Sequence, residues 1–276
     1  MKNFKVALQL YSVREDMDLN VEATLKKVKE IGYDYVEFAG FYNFPANKMR
    51  ELLDKYALTC VSVHQGYEVF LTDETASVEY LKTIGAKYCA IPWMDKAKHA
   101  GTPAFVSTVK EITQVGKLLK KEDIQLVYHN HDFEFETFED KFLLDCLYEA
   151  VPADFLQTEI DTCWVCYAGY DPAAYVRKYT GRSPIVHLKD FKCANFNGGP
   201  VYALIDNSGK AKKQSREASG FEFKPLGHGI QNIPSILAAA EDAGADIVVV
   251  EQDRSLSRPA MEAAKMSRDY LLSLGI

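Results

Sequence analysis

The feature of this sequence that most restricts its fold is a repeated change of hydrophobic period. Short apolar runs suited to strands alternate, eight times over, with stretches of helical spacing. "KVALQLYS" is followed by "NVEATLKKVKEIG", where Val21, Leu25, Val28 and Ile31 share one helical face and Gly32 supplies the stop. The alternation runs on through "YVEFAG", "TCVSVH", "YCAIPW", "QLVYHNHDFEF", "FLQTEIDTCW", "PIVHLKDF" and "DIVVVEQD", each with a helical stretch after it. The strands are nearly continuously apolar, as parallel strands buried on both faces must be. Eight such units without a compositional break predict an α/β fold, one closed (β/α)8 TIM barrel over residues 1–276. A doubly wound open sheet is the alternative, but it has fewer strands as a rule, and no Gly-rich phosphate fingerprint follows the first strand.

One region breaks the pattern. Residues 192–229, rich in Gly, Asn, Ser and Lys, are too long for a plain connector and read as a loop insertion before the last unit. Loops of this kind are often lids or binding loops. The "KAKK" inside it meets either a phosphate or only solvent. The net charge of -7 disfavours a nucleic-acid backbone or an anionic membrane surface as partner. The six scattered cysteines follow cytosolic usage, and "MKNFKVALQLYSVRED" is too interrupted for a signal peptide, so a cytoplasmic protein is expected. Cys163 and Cys166 form C-x-x-C after a strand-end aspartate, a poor context for redox chemistry.

In a barrel, the C-terminal ends of the strands converge on one mouth where chemistry sits. The fifth to eighth strands end in "HDFEF", "EIDTCW", "VHLKD" and "VVVEQD". Glu134, Asp161, His187 and Glu251, one from each, offer three carboxylates and one imidazole to a single divalent cation. That donor set suits Mn²⁺ first, then Mg²⁺ or Co²⁺, with Zn²⁺ also acceptable. A lone polar residue at a strand end is more often a helix cap or rim ion pair. Four at successive strand ends with matching ligand chemistry outweigh that reading.

These stretches, with "LQLYSVRE", "IGYDYVEFAG" and "PLGHG", resemble the xylose isomerase-like barrels grouped as sugar phosphate isomerases/epimerases, which also include ketose 3-epimerases, inosose dehydratase and endonuclease IV. The resemblance spans nearly the whole chain. It implies one metal ion held by Glu134, Asp161, His187 and Glu251, with Glu134 and Glu251 as the acid–base pair that moves a proton beside a substrate carbonyl. The chain departs from the pattern in two places. Trp164 stands where several members carry a histidine. The six histidines (His64, His99, His129, His131, His187 and His228) are too few for the three-metal cluster of the nuclease branch.

The other strand-end polar residues are candidate substrate contacts: Gln9, Tyr11, Glu37, His64, His131 and Lys189, with Trp93 and Trp164 as aromatic platforms. His64 and His131 have structural hydrogen bonding as the rival role, and Lys189 either meets an anionic sugar or pairs with Asp190. The expectation is a metal-dependent sugar isomerase or epimerase, working through a metal-stabilised enediolate on a small-molecule substrate, with homo-oligomers common among relatives. The first alternative is a lyase on the same barrel, which takes the same proton but expels a β-substituent. A DNA-repair nuclease and a binding module with a relict site follow.

Overall fold

The structure, a computed structural model, describes residues 2–194 and 220–276. Eight parallel strands close into a barrel: β1 (Lys5–Gln9), β2 (Tyr35–Phe38), β3 (Thr59–His64), β4 (Tyr88–Ile91), β5 (Gln125–His129), β6 (Gln157–Asp161), β7 (Ile185–Leu188) and β8 (Ile247–Val250). Each pairs with its sequence neighbours, and β8 closes on β1 with Ala7 opposite Val249.

The period of two along each strand sorts its residues between barrel interior and helix-facing exterior. Val6, Leu8, Val36, Phe38, Val63, Ile160, Val186 and Val248 belong to the large cluster shared with the helices. The interior is layered. Ala7, Val61, Ile185, Ile247 and Val249 form an apolar floor with Tyr35 and Tyr88. Two residues further along the same strands come Gln9, Glu37, His187 and Glu251, so the upper layer is polar and buried.

Strand β3 needs an irregularity to obey both layers. Val61 packs in the floor and His64 in the upper layer, an odd separation that strict alternation forbids. The β2–β3 register shifts at Val36/Glu37, leaving Val61 as the extra residue.

Helices begin and end on expected signals. Asn20 and Asp73 cap the helices Val21–Glu30 and Glu74–Ile84 through their side-chain oxygens. Gly85 follows the second in left-handed conformation at φ 79°. The flanks of the predicted insertion form a hairpin, Asp190–Cys193 against Phe221–Lys224. The central part of the predicted loop and its "KAKK" lie outside the described residues. Beyond the hairpin, the Asp190 carboxylate accepts backbone N–H bonds from Phe191, Gly227, Gly229 and Gln231, which fastens "PLGHG" over the barrel rim. Among the described residues no helix is long and apolar enough to cross a membrane.

Candidate active site

The upper layer of the barrel is a continuous polar network. Glu37 receives Gln9 Nε2 at 2.8 Å and lies 2.8 Å from His187 Nε2 and 3.1 Å from His64 Nε2. Glu159 lies 2.7 Å from His64 Nε2, 3.2 Å from His187 Nε2 and 3.3 Å from His129 Nδ1. Burial penalises both charges of such pairs, yet the neighbours win. His64 and His187 hold the Glu37 carboxyl well below its usual range. Against its own burial, His64 is carried up to about 10 by Glu37 and Glu159.

Above this lies a second set. Asp161 Oδ1 caps the helix Thr162–Tyr167 by accepting from the Cys163 and Trp164 amides, so its structural role is real. Asp161 Oδ2 is 2.9 Å from Lys189 Nζ and 3.6 Å from His129 Nε2. Glu251 Oε2 is 2.8 Å from Lys189 Nζ and 3.1 Å from His187 Nδ1. Lys189 also reaches Asp253 at 2.9 Å. Burial works against its charge, but Asp161, Asp253 and Glu251 raise the ammonium well above the ordinary lysine range.

Two groups of side chains offer metal-ligating atoms within 4.8 Å of one another: His64, His129, Glu159 and His187 below, and His129, Asp161, His187 and Glu251 above. His129 and His187 belong to both because each presents one ring nitrogen downward and the other upward. Below, Glu37 hydrogen-bonds His187 Nε2 and Glu159 lies 3.3 Å from His129 Nδ1, leaving His129 Nε2 and His187 Nδ1 toward Asp161 and Glu251. Carboxylate–histidine–metal relays are built in this way.

The donor set fits a divalent ion. The buried carboxylates Glu37, Glu159, Asp161 and Glu251, with Asp253 beside them, are opposed among these groups by Lys189 and His64, while burial and its cationic neighbours keep His129 neutral. Glu37 Oε2 and Glu159 Oε2 are buried with no hydrogen-bond partner among the described residues. Two imidazoles and two carboxylates suit Zn²⁺, Mn²⁺ or Co²⁺.

Glu134 is elsewhere. It sits in the 3₁₀ turn Phe133–Phe135, accepting from the Tyr128 hydroxyl at 2.7 Å and from the His131 amide at 2.7 Å, and neither ligating group includes it. Burial pushes its carboxyl up to about 8 despite those two donors. The strand-five member of the upper group is His129.

The cavity above the network holds about 440 Å³ and is lined by Tyr11, His64, Trp93, His129, His131, Lys189, Glu251 and Asp253, among others. Of the substrate contacts expected from sequence, Tyr11, His64, Trp93, His131 and Lys189 therefore face it. Gln9 and Glu37 lie beneath, bonded to each other. Trp164 is fully buried behind Lys189, whose Nζ is 5.1 Å from its ring centre, and it stacks at 5.7 Å on His131. It supports the wall and is not in the cavity lining. Lys189 pairs with Asp161, Glu251 and Asp253, and Asp190 serves the rim loop.

Sequence reasoning passed over His129, Glu159 and Asp253. The signals were present: His129 is the last residue of β5, Glu159 lies two before Asp161 on the same strand face, and Asp253 lies two after Glu251.

A closed parallel barrel with histidines and carboxylates gathered at its C-terminal mouth is the layout of a barrel enzyme with side chains able to hold a divalent ion. The chain belongs to the xylose isomerase-like TIM barrel family, whose model matches residues 25–274. It is 24% identical to an inosose dehydratase of Geobacillus kaustophilus, over 91% of this chain and 86% of the relative. Among solved structures it is similar to a sugar phosphate isomerase/epimerase from Parabacteroides distasonis, with TM-score 0.75 and 19% identity over 98% of this chain and 94% of that one. It is also similar to the IOLI protein with a bound zinc atom, with TM-score 0.71 and 17% identity over 98% and 97% of the two chains.

Proposed function

We propose that the chain is a metal-dependent dehydratase that removes water from a polyhydroxylated keto compound, a keto-cyclitol or keto-sugar. The observation that carries elimination ahead of isomerisation is the near full-length similarity to an inosose dehydratase. This reverses the order in which the sequence ranked the two.

His129, Asp161, His187 and Glu251 would hold a divalent ion, which would supply positive charge to polarise a substrate carbonyl. The chain's own groups do the rest. His131 is the base: its ring faces the cavity, held between Phe133 at 5.5 Å and Trp164 at 5.7 Å, and its amide is tethered by Glu134. It takes the proton from the carbon next to the carbonyl and returns it to the departing β-hydroxyl on the same face. One C–H and one C–O bond break, a C=C bond forms, and water leaves. Lys189 and His64, both cationic and both in the cavity wall, balance the negative charge that develops on the carbonyl oxygen. Trp93 and Tyr11, exposed at the mouth, give the substrate an aromatic face. Glu134 acts here as a positioning residue.

The test is product mass after incubation with inosose and a panel of keto-sugars. A product lighter by one water, absent with His131→Gln, is expected. An isomer of unchanged mass returns the assignment to an epimerase, which the structural similarity to a protein called sugar phosphate isomerase/epimerase favours. Turnover undiminished in His131→Gln removes His131 as the base.

A further inference from the structure

A second cavity of about 440 Å³ adjoins the first and shares Asp253 with it. It lies where the segment after β1 meets the segment after β8, and Arg14, Arg254 and Arg258 line it. In a chain of net charge -7 this is an unusual concentration of guanidinium groups. None of them is committed to a carboxylate among the described residues. Arg14 donates to the carbonyls of Tyr11 and Asp253 at 2.9 and 2.7 Å and lies 4.2 Å over the Tyr11 ring, so it holds no carboxylate. Arg258 Nη1 rests against the Met266 sulfur, and its buried Nε has no hydrogen-bond partner among the described residues. Arg254 is exposed, and none of the three forms an ion pair within the described residues. The acids in the same wall are Asp253, whose carboxylate Lys189 occupies, and Glu15.

Guanidinium donors recognise planar and tetrahedral oxyanions in forked geometry, and an arginine left buried without a partner is costly. We propose that this cavity is an oxyanion subsite, built by Arg14, Arg254 and Arg258, that holds the acidic group of an anionic substrate whose carbonyl end reaches the first cavity. The acidic group is a carboxylate or a phosphate ester. Tyr11, which carries Arg14 over its ring, lines the first cavity, and Asp253 lines both. The inference rests on the first cavity being the reaction site, but its binding test does not.

That test is calorimetric titration of the full chain with inorganic phosphate and, separately, gluconate, for wild type, Arg254→Gln, Arg258→Gln and Asp161→Asn. One saturable site is expected, weakened about tenfold in either arginine variant and unchanged in Asp161→Asn. Arg254 is exposed, so its variant keeps the fold and the wild-type melting temperature. Tighter phosphate points to a phosphorylated substrate, tighter gluconate to a sugar acid, and either supports the subsite. Absence of saturable binding, or binding lost in Asp161→Asn but kept in both arginine variants, overturns it. Arginine-dependent binding without turnover of any keto compound overturns the dehydratase reading alone and leaves the subsite standing.

Discussion

At the scale of single residues, Glu134 shows how burial, more than residue type, decides a role. Its carboxyl titrates near 8 because burial outweighs the Tyr128 and His131 donors. A carboxyl raised on folding stabilises the native state fully below its ordinary value of 4.5, and that contribution is lost as pH rises through about 8. Wild type should therefore lose stability between about pH 5 and pH 8 relative to Glu134→Gln, by on the order of a few kcal/mol. Urea melts of both proteins at the two ends of that window check this; parallel curves would show that Glu134 is ionised in the fold. His129 carries the complementary prediction. Elemental analysis should find about one divalent ion per chain in wild type and little in His129→Gln or Asp161→Asn, with Glu134→Gln retaining it. Loss of the ion in Glu134→Gln would restore the ligand set expected from sequence. Asp161, His187 and Glu251 were legible because strand ends of a barrel converge. That His129, and not Glu134, stands with them was not, because a turn of three residues after β5 decides which side chain faces inward, and no strand periodicity reaches into it.

At the scale of elements, close approaches and fastenings matter more than propensity. Gly116 lies inside the helix Phe105–Lys121, where alanine would ordinarily help by about 1 kcal/mol. A Cβ there collides with the Phe155 carbonyl, in the segment leading to β6. Gly116→Ala should therefore destabilise by about 1–3 kcal/mol, read from the denaturation midpoint. Asp190 fastens the rim loop through three amides, and a Cβ on Gly229 would strike its carboxylate. Asp190→Ala should speed hydrogen exchange at Gly227, Gly229 and Gln231 and cost about 3 kcal/mol, with the barrel strands still protected. The eight-unit alternation made the strands and helices readable from sequence. The β2–β3 bulge and the partner of Asp190 were not readable, because each is set by a segment distant in the chain.

For the whole molecule, charge balance is the governing quantity. The barrel mouth concentrates carboxylates that Lys189 and His64 only partly offset, so a divalent ion bound there would stabilise the native state by mass action. At an ion concentration about a hundred times its dissociation constant, chelation should lower the melting temperature by roughly 5–10 °C. A thermal scan with and without chelator checks this, and an unchanged Asp161→Asn serves as the control. The closed barrel was visible in the sequence because the period-two and helical patterns repeat without interruption. Its polar interior was visible only in part: Glu37 stood out as a strand-end residue, whereas Glu159 looks like an ordinary strand residue until the strands stand side by side.

The upper ligating group comes from β5 to β8 alone, whereas Tyr11, His64 and Trp93 in the cavity wall come from the first half of the chain. The ligating group and about half of the cavity wall are thus contributed by different halves of one polypeptide. A chimera that takes its first four strand–helix units from another barrel of this kind would keep the ion-binding residues and exchange about half of the cavity wall. On such a layout, drift in the N-terminal loops would reshape the cavity wall while the ligating group stayed in place.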